Sequence, residues 1–204
     1  MSHEMEKAAD YFRSNIFEAK SAYTAWKMLA YSRAEKVVGR QLAEKYTEIQ
    51  NYHGSFFTIT QESLLITWVV LICHCFEKRS DSFSIEKIAK KQYISFYNDN
   101  KSLIEQLRSA RSKLFAHRNK NITPSSIKIP SINKMNQFWI KIEGLYNSIT
   151  LDFDRSETRF DGAESIKTDI ENLYANLYRG EAARLAEINV EYTKSLETSA
   201  SRVI

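Results

Sequence analysis

The chain has 204 residues, 43% of them apolar and 12% aromatic, enough to bury a sizeable core; this excludes an intrinsically disordered protein. Its 29 basic and 25 acidic residues give a net charge of +4, a mild excess that favours contact with a polyanion without naming one. With only 5 glycines and 2 prolines, the latter both in the window 124–130, little interrupts helical patterns, so the fold class is all-α, a helical bundle with long N- and C-terminal helices.

Over residues 4–52, Phe12, Ile16, Ala19, Tyr23 and Trp26 recur at three- and four-residue spacing, which predicts helix, with a bend at Gly39 and a turn at His53-Gly54-Ser55. A second helix is expected over 60–78. It is apolar on nearly all sides and so belongs at the centre of the bundle. Its most apolar run, 64–76, covers about 13 residues where a membrane span needs roughly 20, so a core helix is expected and no membrane partner.

Ser84 is placed to cap a third helix over 85–97, which Tyr97-Asn-Asp-Asn100 should break. Ser102 and Glu105 then have capping-box spacing and open a fourth helix carrying Arg108, Arg111 and His117. Residues 120–130 read as a loop, with Asn119, Asn121, Pro124, Ser125, Ser126 and Pro130 supplying turn chemistry. A fifth helix follows over 132–149, with Trp139, Ile142 and Leu145 along one side. The charged stretch 152–162 is a connector to a last helix over 164–196, whose Ile170, Leu173, Leu177, Leu185, Ile188 and Tyr192 suit an arm packed on the domain or on a second subunit. The expected organisation is a bundle at 1–155 and a helical extension at 156–204.

Cys73 and Cys75 point roughly 200° apart on a helix and cannot bridge to each other. They read as core thiols of a reducing compartment. The polar opening Met1-Ser-His-Glu-Met shows no secretory pattern, and a cytoplasmic location is expected. Cys73-His-Cys75 lacks a second ligand pair for a metal, and nothing near Asp152 and Asp154 completes a carboxylate site, so no metal and no cofactor is expected. The glycines are isolated, which excludes a phosphate-binding glycine loop.

The most informative segment is Arg108-Ser-Ala-Arg-Ser-Lys-Leu-Phe-Ala-His-Arg-Asn-Lys120, with five cations and no acid. Leu103, Leu107, Ala110 and Leu114 form its apolar stripe, which His117 continues. Taken alone, His117 would be a hydrogen-bonded core histidine and the cations a solvated helix end favoured by the dipole. Arg111 and His117 lie about 120° apart around the axis and about 9 Å along it, on the same half of one helix. A two-fold axis would bring two such pairs into one cleft.

The string Arg111-Ser-Lys-Leu-Phe-Ala-His117 resembles the Arg-polar-x4-His motif of the HEPN superfamily, and Leu-Phe-Ala-His followed by a basic residue is most similar to its abortive-infection branch. The resemblance covers about 45–150 and extends to the order of helices. It implies a HEPN-like helical bundle and a homodimeric, metal-independent endoribonuclease of a toxin or phage-defence system, with Arg111 and His117 catalytic. Ser112 departs from the asparagine often found after the arginine. Arg108, Ser112, Lys113, Arg118 and Lys120 are the RNA-binding candidates, since phosphate neutralisation supplies most non-specific affinity. Tyr93, Phe96 and Tyr97 are candidate base-stacking rings, although their spacing also suits a core.

Two other functions compete with this one. One is a non-catalytic module of the same type that binds RNA or a nucleotide, or partners a nucleotidyltransferase; an antitoxin would be a further partner. The other is a structural helical interaction protein, resting on the last helix.

Overall fold

The computed structural model describes residues 3–77, 85–115, 127–151 and 157–200, and all regular structure among them is helical. The all-α expectation is met. The helices are α1 (His3–Tyr31), α2 (Glu35–Val38), α3 (Arg40–Tyr52), α4 (Gly54–His74), α5 (Ile85–Ile88), α6 (Lys90–Phe115), α7 (Ile132–Leu151) and α8 (Ile166–Ala200), with a 3-10 turn at Asp161–Glu164. Ser84, Asp152, Asp154, the 155/156 boundary and the loop at 120–126 lie outside the described residues.

The helices pack as two compact units, Met1–Trp26 with Thr60–Ile166, and Lys27–Ile59 with Lys167–Ile204. The first is built on aromatic rings. Trp68 of α4, fully buried, meets Tyr23 at 5.4 Å edge-on and Trp26 at 6.0 Å, and Trp139 of α7 reaches Tyr23 at 5.6 Å. Further along, Phe76 stacks on Phe96 at 5.8 Å, with Phe138 against both. On α7 the expected face is the buried one: Trp139, Ile142 and Leu145 are all in the core. Its start is capped by Ser131, whose Oγ accepts from the Lys134 amide at 3.5 Å.

The second unit closes around Tyr174 of α8. Its ring lies between Tyr46 at 4.1 Å and Phe57 at 5.5 Å, while its hydroxyl meets the Gln50 amide nitrogen at 2.5 Å and Ser32 Oγ at 3.0 Å. A buried amide and two hydroxyls thus satisfy one another, which is the condition for burying them without a large penalty. Ile170 is also buried, but residues 182–193 are exposed throughout, Leu185, Ile188 and Tyr192 among them.

Three sequence expectations change, besides the helical segment expected over 4–52, which is divided at 32–34 and at Gly39 into α1, α2 and α3. The α4 helix begins at Gly54, six residues before the expected start, although Gly54 and the β-branched Thr58, Ile59 and Thr60 are poor helix formers. Burying Phe57 against Tyr174 outweighs that local preference. Nor is α4 buried on all sides. Trp68, Val69, Ile72 and Cys73 are in the core, whereas Leu64, Leu65, Ile66, Val70 and Leu71 are half-buried. By length and composition α4 is the one helix among the described residues apolar enough to cross a membrane, with 28% of its most apolar window buried; a core helix passes the same test.

The third change is at Tyr97-Asn-Asp-Asn100, which lies inside α6 and breaks nothing; the break falls at Ala89 instead. Asparagine disfavours helix because its side chain competes for backbone groups. Here Asn100 is buried, donates from Nδ2 to the Phe96 carbonyl at 2.8 Å, and accepts at Oδ1 from Lys141 Nζ at 3.4 Å, so the competition is satisfied within the helix. Ser102 and Glu105 are accordingly exposed mid-helix residues rather than a cap.

Gly144 sits in the middle of α7, where a Cβ would meet nothing within 4 Å. Replacing a mid-helix glycine by alanine without a clash adds up to about 1 kcal/mol. Gly144→Ala is therefore expected to raise the thermal midpoint by about 2–4 °C, read by circular dichroism; a lowered midpoint would show that the site is more crowded than it looks.

Candidate functional site

The site grows from the C-terminal end of α4, where helix carbonyls lack intrahelical partners and carry partial negative charge. Two arginines on successive turns of α6 answer that charge. Arg108 Nη2 donates to the Phe76 carbonyl at 2.6 Å, and Nη1 donates to the Tyr97 hydroxyl at 3.1 Å, with the guanidinium 5.5 Å above the Tyr97 ring. Tyr97 in turn stacks on Tyr93 at 5.6 Å. Arg108 is thus committed to holding α6 against the end of α4.

Arg111, one turn on, forms an ion pair through Nη1 with Glu77 Oε1, just beyond α4. The two side chains are 28% and 19% exposed, so the guanidinium is oriented yet reachable from solvent. Five N–H donors belong to an arginine, and Glu77 engages one end of the fork. Arg108, Arg111 and Glu77 together leave one net positive charge at this end of α6. Both arginines lie close enough to Cys73 to pull its pKa down, but burial dominates and pushes the thiol up to about 11. Cys75 is likewise pushed up by burial. Both are core thiols without nucleophilic character at neutral pH.

Of the other candidates, Ser112 is exposed and Lys113 half-buried, the latter about 200° around the helix from Arg111. His117, Arg118 and Lys120 lie outside the described residues. The apolar stripe of this helix is Ile104, Leu107 and Ala110, with Leu103 and Leu114 only half-buried. Tyr93 and Phe96 are core residues at 2% and 8% exposure, and Tyr97 is covered by Tyr93 and Arg108, so base stacking on these rings is not available in this arrangement. The residue that sequence reasoning missed is Glu77. Its signal was a lone carboxylate directly after a long apolar helix in a chain with a cation-only segment elsewhere.

No protein-family model matches the chain, and no curated protein or solved structure is detectably similar to it. Among the described residues no group of three or more His, Cys, Asp or Glu is arranged to hold a metal ion.

Proposed function

We propose that this protein is a metal-independent endoribonuclease of the HEPN type, acting in the cytoplasm as part of a toxin or phage-defence system, with Arg111 and His117 as its catalytic pair in the cleft of a homodimer. The observation that carries the reading is the Arg111-Ser-x4-His117 string, whose arginine stands near the end of α6, half-buried and held by Glu77. A guanidinium fixed before the reaction stabilises developing charge on phosphorus without reorganisation cost.

In this mechanism the ribose 2′-oxygen attacks the adjacent phosphorus, and the P–O5′ bond breaks. One imidazole takes the 2′-hydroxyl proton and another gives a proton to the leaving 5′-oxygen, roles that two copies of His117 would fill. Histidine suits both because its ordinary pKa is about 6.5. Arg111 neutralises the phosphorane through the N–H groups that Glu77 leaves open. Arg118, Lys113 and Lys120 supply contacts to the RNA backbone, with Ser112 beside them.

The products are a 2′,3′-cyclic phosphate and a 5′-hydroxyl. Incubating RNA with the purified protein in EDTA, followed by end-group analysis, should give those termini and leave DNA intact. Cleavage that needs a divalent cation, or that leaves 5′-phosphates, would refute the mechanism.

A second reading is favoured by the same ion pair. Glu77 offsets the charge of Arg111, and Ser112 replaces the longer amide, which suits a module that binds RNA or a nucleotidyltransferase without cutting. RNA binding with no cleavage in EDTA would establish that alternative.

A further inference from the structure

A groove of about 540 Å³ opens between α6 and α7 in the first unit, within the range of about 300–1,000 Å³ typical of small-ligand clefts. Lys91 and Asp99 line it from α6 and Lys141 from α7; two cations and one carboxylate leave a charge of +1. Ser95 and Ser148 add a hydroxyl from each wall, over Phe96 and Leu145. Lysines on two neighbouring helix faces would alone be an ordinary solvated surface.

What sets this groove apart is one residue unfavourable to helix in its α7 wall, Gly144, and another, Asn100, buried behind its α6 wall in contact with Lys141. Asn100 occupies the interior of α6, and its Oδ1 takes the Lys141 ammonium at 3.4 Å, fixing the cation at the groove edge. Gly144 occupies the middle of α7, between Lys141 and Ser148, where no neighbour within 4 Å requires the absence of a Cβ. Packing does not account for that glycine, and the bare backbone there leaves the wall of the groove clear. Local rules of helix composition are broken at functional positions more often than elsewhere.

We propose that this groove binds a phosphate monoester bearing free hydroxyls, a sugar phosphate or a mononucleotide. Lys91 and Lys141 take the phosphate, and the serine hydroxyls and Asp99 take the sugar hydroxyls. A single carboxylate opposite two ammonium groups suits one phosphate rather than a polyphosphate. Asp99 and Arg111 are twelve positions apart on α6, about 18 Å along its axis. The site is therefore separate from the arginine site and does not rest on the ribonuclease reading.

The test is calorimetric titration of the full chain with ribose 5-phosphate, AMP, inorganic phosphate and unphosphorylated ribose. Saturable binding of either monoester, at least tenfold tighter than inorganic phosphate and absent for ribose, is expected, and which monoester binds identifies the source. Lys141→Gln should weaken binding at least tenfold, Gly144→Leu should abolish it in a protein whose circular dichroism is unchanged, and Arg111→Ala should leave it intact. If Gly144→Leu fails to fold, Lys91→Gln serves in its place with the same expected loss. The proposal is overturned by no saturable binding of either monoester, by equal affinity for inorganic phosphate, or by binding that survives Lys141→Gln and is lost in Arg111→Ala.

Discussion

Trp68→Ala should lower the stability of the first unit by about 3–5 kcal/mol, the range for removing a fully buried large aromatic side chain. Trp68 has no exposed surface, and its ring contacts Tyr23 and Trp26 at 5.4 and 6.0 Å, so the rigid neighbours that surround it cannot collapse into the space it leaves. The loss is a large fraction of the 5–15 kcal/mol by which a typical domain is stable. With a urea slope of about 1–3 kcal/mol/M, the midpoint should fall by at least 1 M. The chain has three tryptophans, Trp26, Trp68 and Trp139, and all belong to the first unit, so the fluorescence of the remaining two reports that unit alone. Trp68→Phe keeps a ring at the position and should recover more than half of the loss. An unchanged midpoint in Trp68→Ala would contradict the packing described for α4.

The second large effect concerns Arg111. Arg111→Ala is expected to reduce RNA cleavage by about 10²–10³-fold, the cost of deleting one preorganised donor to a developing oxyanion. Its side chain is 28% exposed and pairs with Glu77 at the end of α4, so the variant should fold, with a melting curve close to that of the parent. Arg111→Lys keeps the charge but loses the planar fork and should recover little of the rate. Glu77→Gln separates orientation from charge. It keeps an acceptor for the guanidinium while removing the opposing carboxylate, so cleavage should be retained or raised, and RNA affinity should rise. Loss of cleavage in Glu77→Gln equal to that in Arg111→Ala would place the reacting role on the carboxylate instead.

Much of the fold was legible because long segments carry unbroken three- and four-residue spacing: α1, α7 and the buried row Trp139, Ile142, Leu145 follow from that pattern. What was not legible depended on partners distant in sequence. The start of α4 is set by Phe57 meeting Tyr174, and the continuity of α6 through Asn100 by Lys141 on another helix. An all-round apolar pattern on α4 could not say which residues reach the core, and Trp68, Val69, Ile72 and Cys73 do while Leu64, Leu65, Ile66, Val70 and Leu71 stay half-buried. At the site, the cation-rich segment was visible as composition, but the role of Arg108 as a cap for α4 and the pairing of Arg111 with Glu77 needed the fold that brings α4 and α6 together.

The most direct measurement is single-turnover cleavage of one RNA substrate in EDTA by the parent protein and by His117→Ala at equal concentration. The account predicts cleavage by the parent and a rate lower by about 10²–10⁴-fold in the variant, the usual contribution of a positioned acid–base group. Equal rates in the two proteins would contradict it.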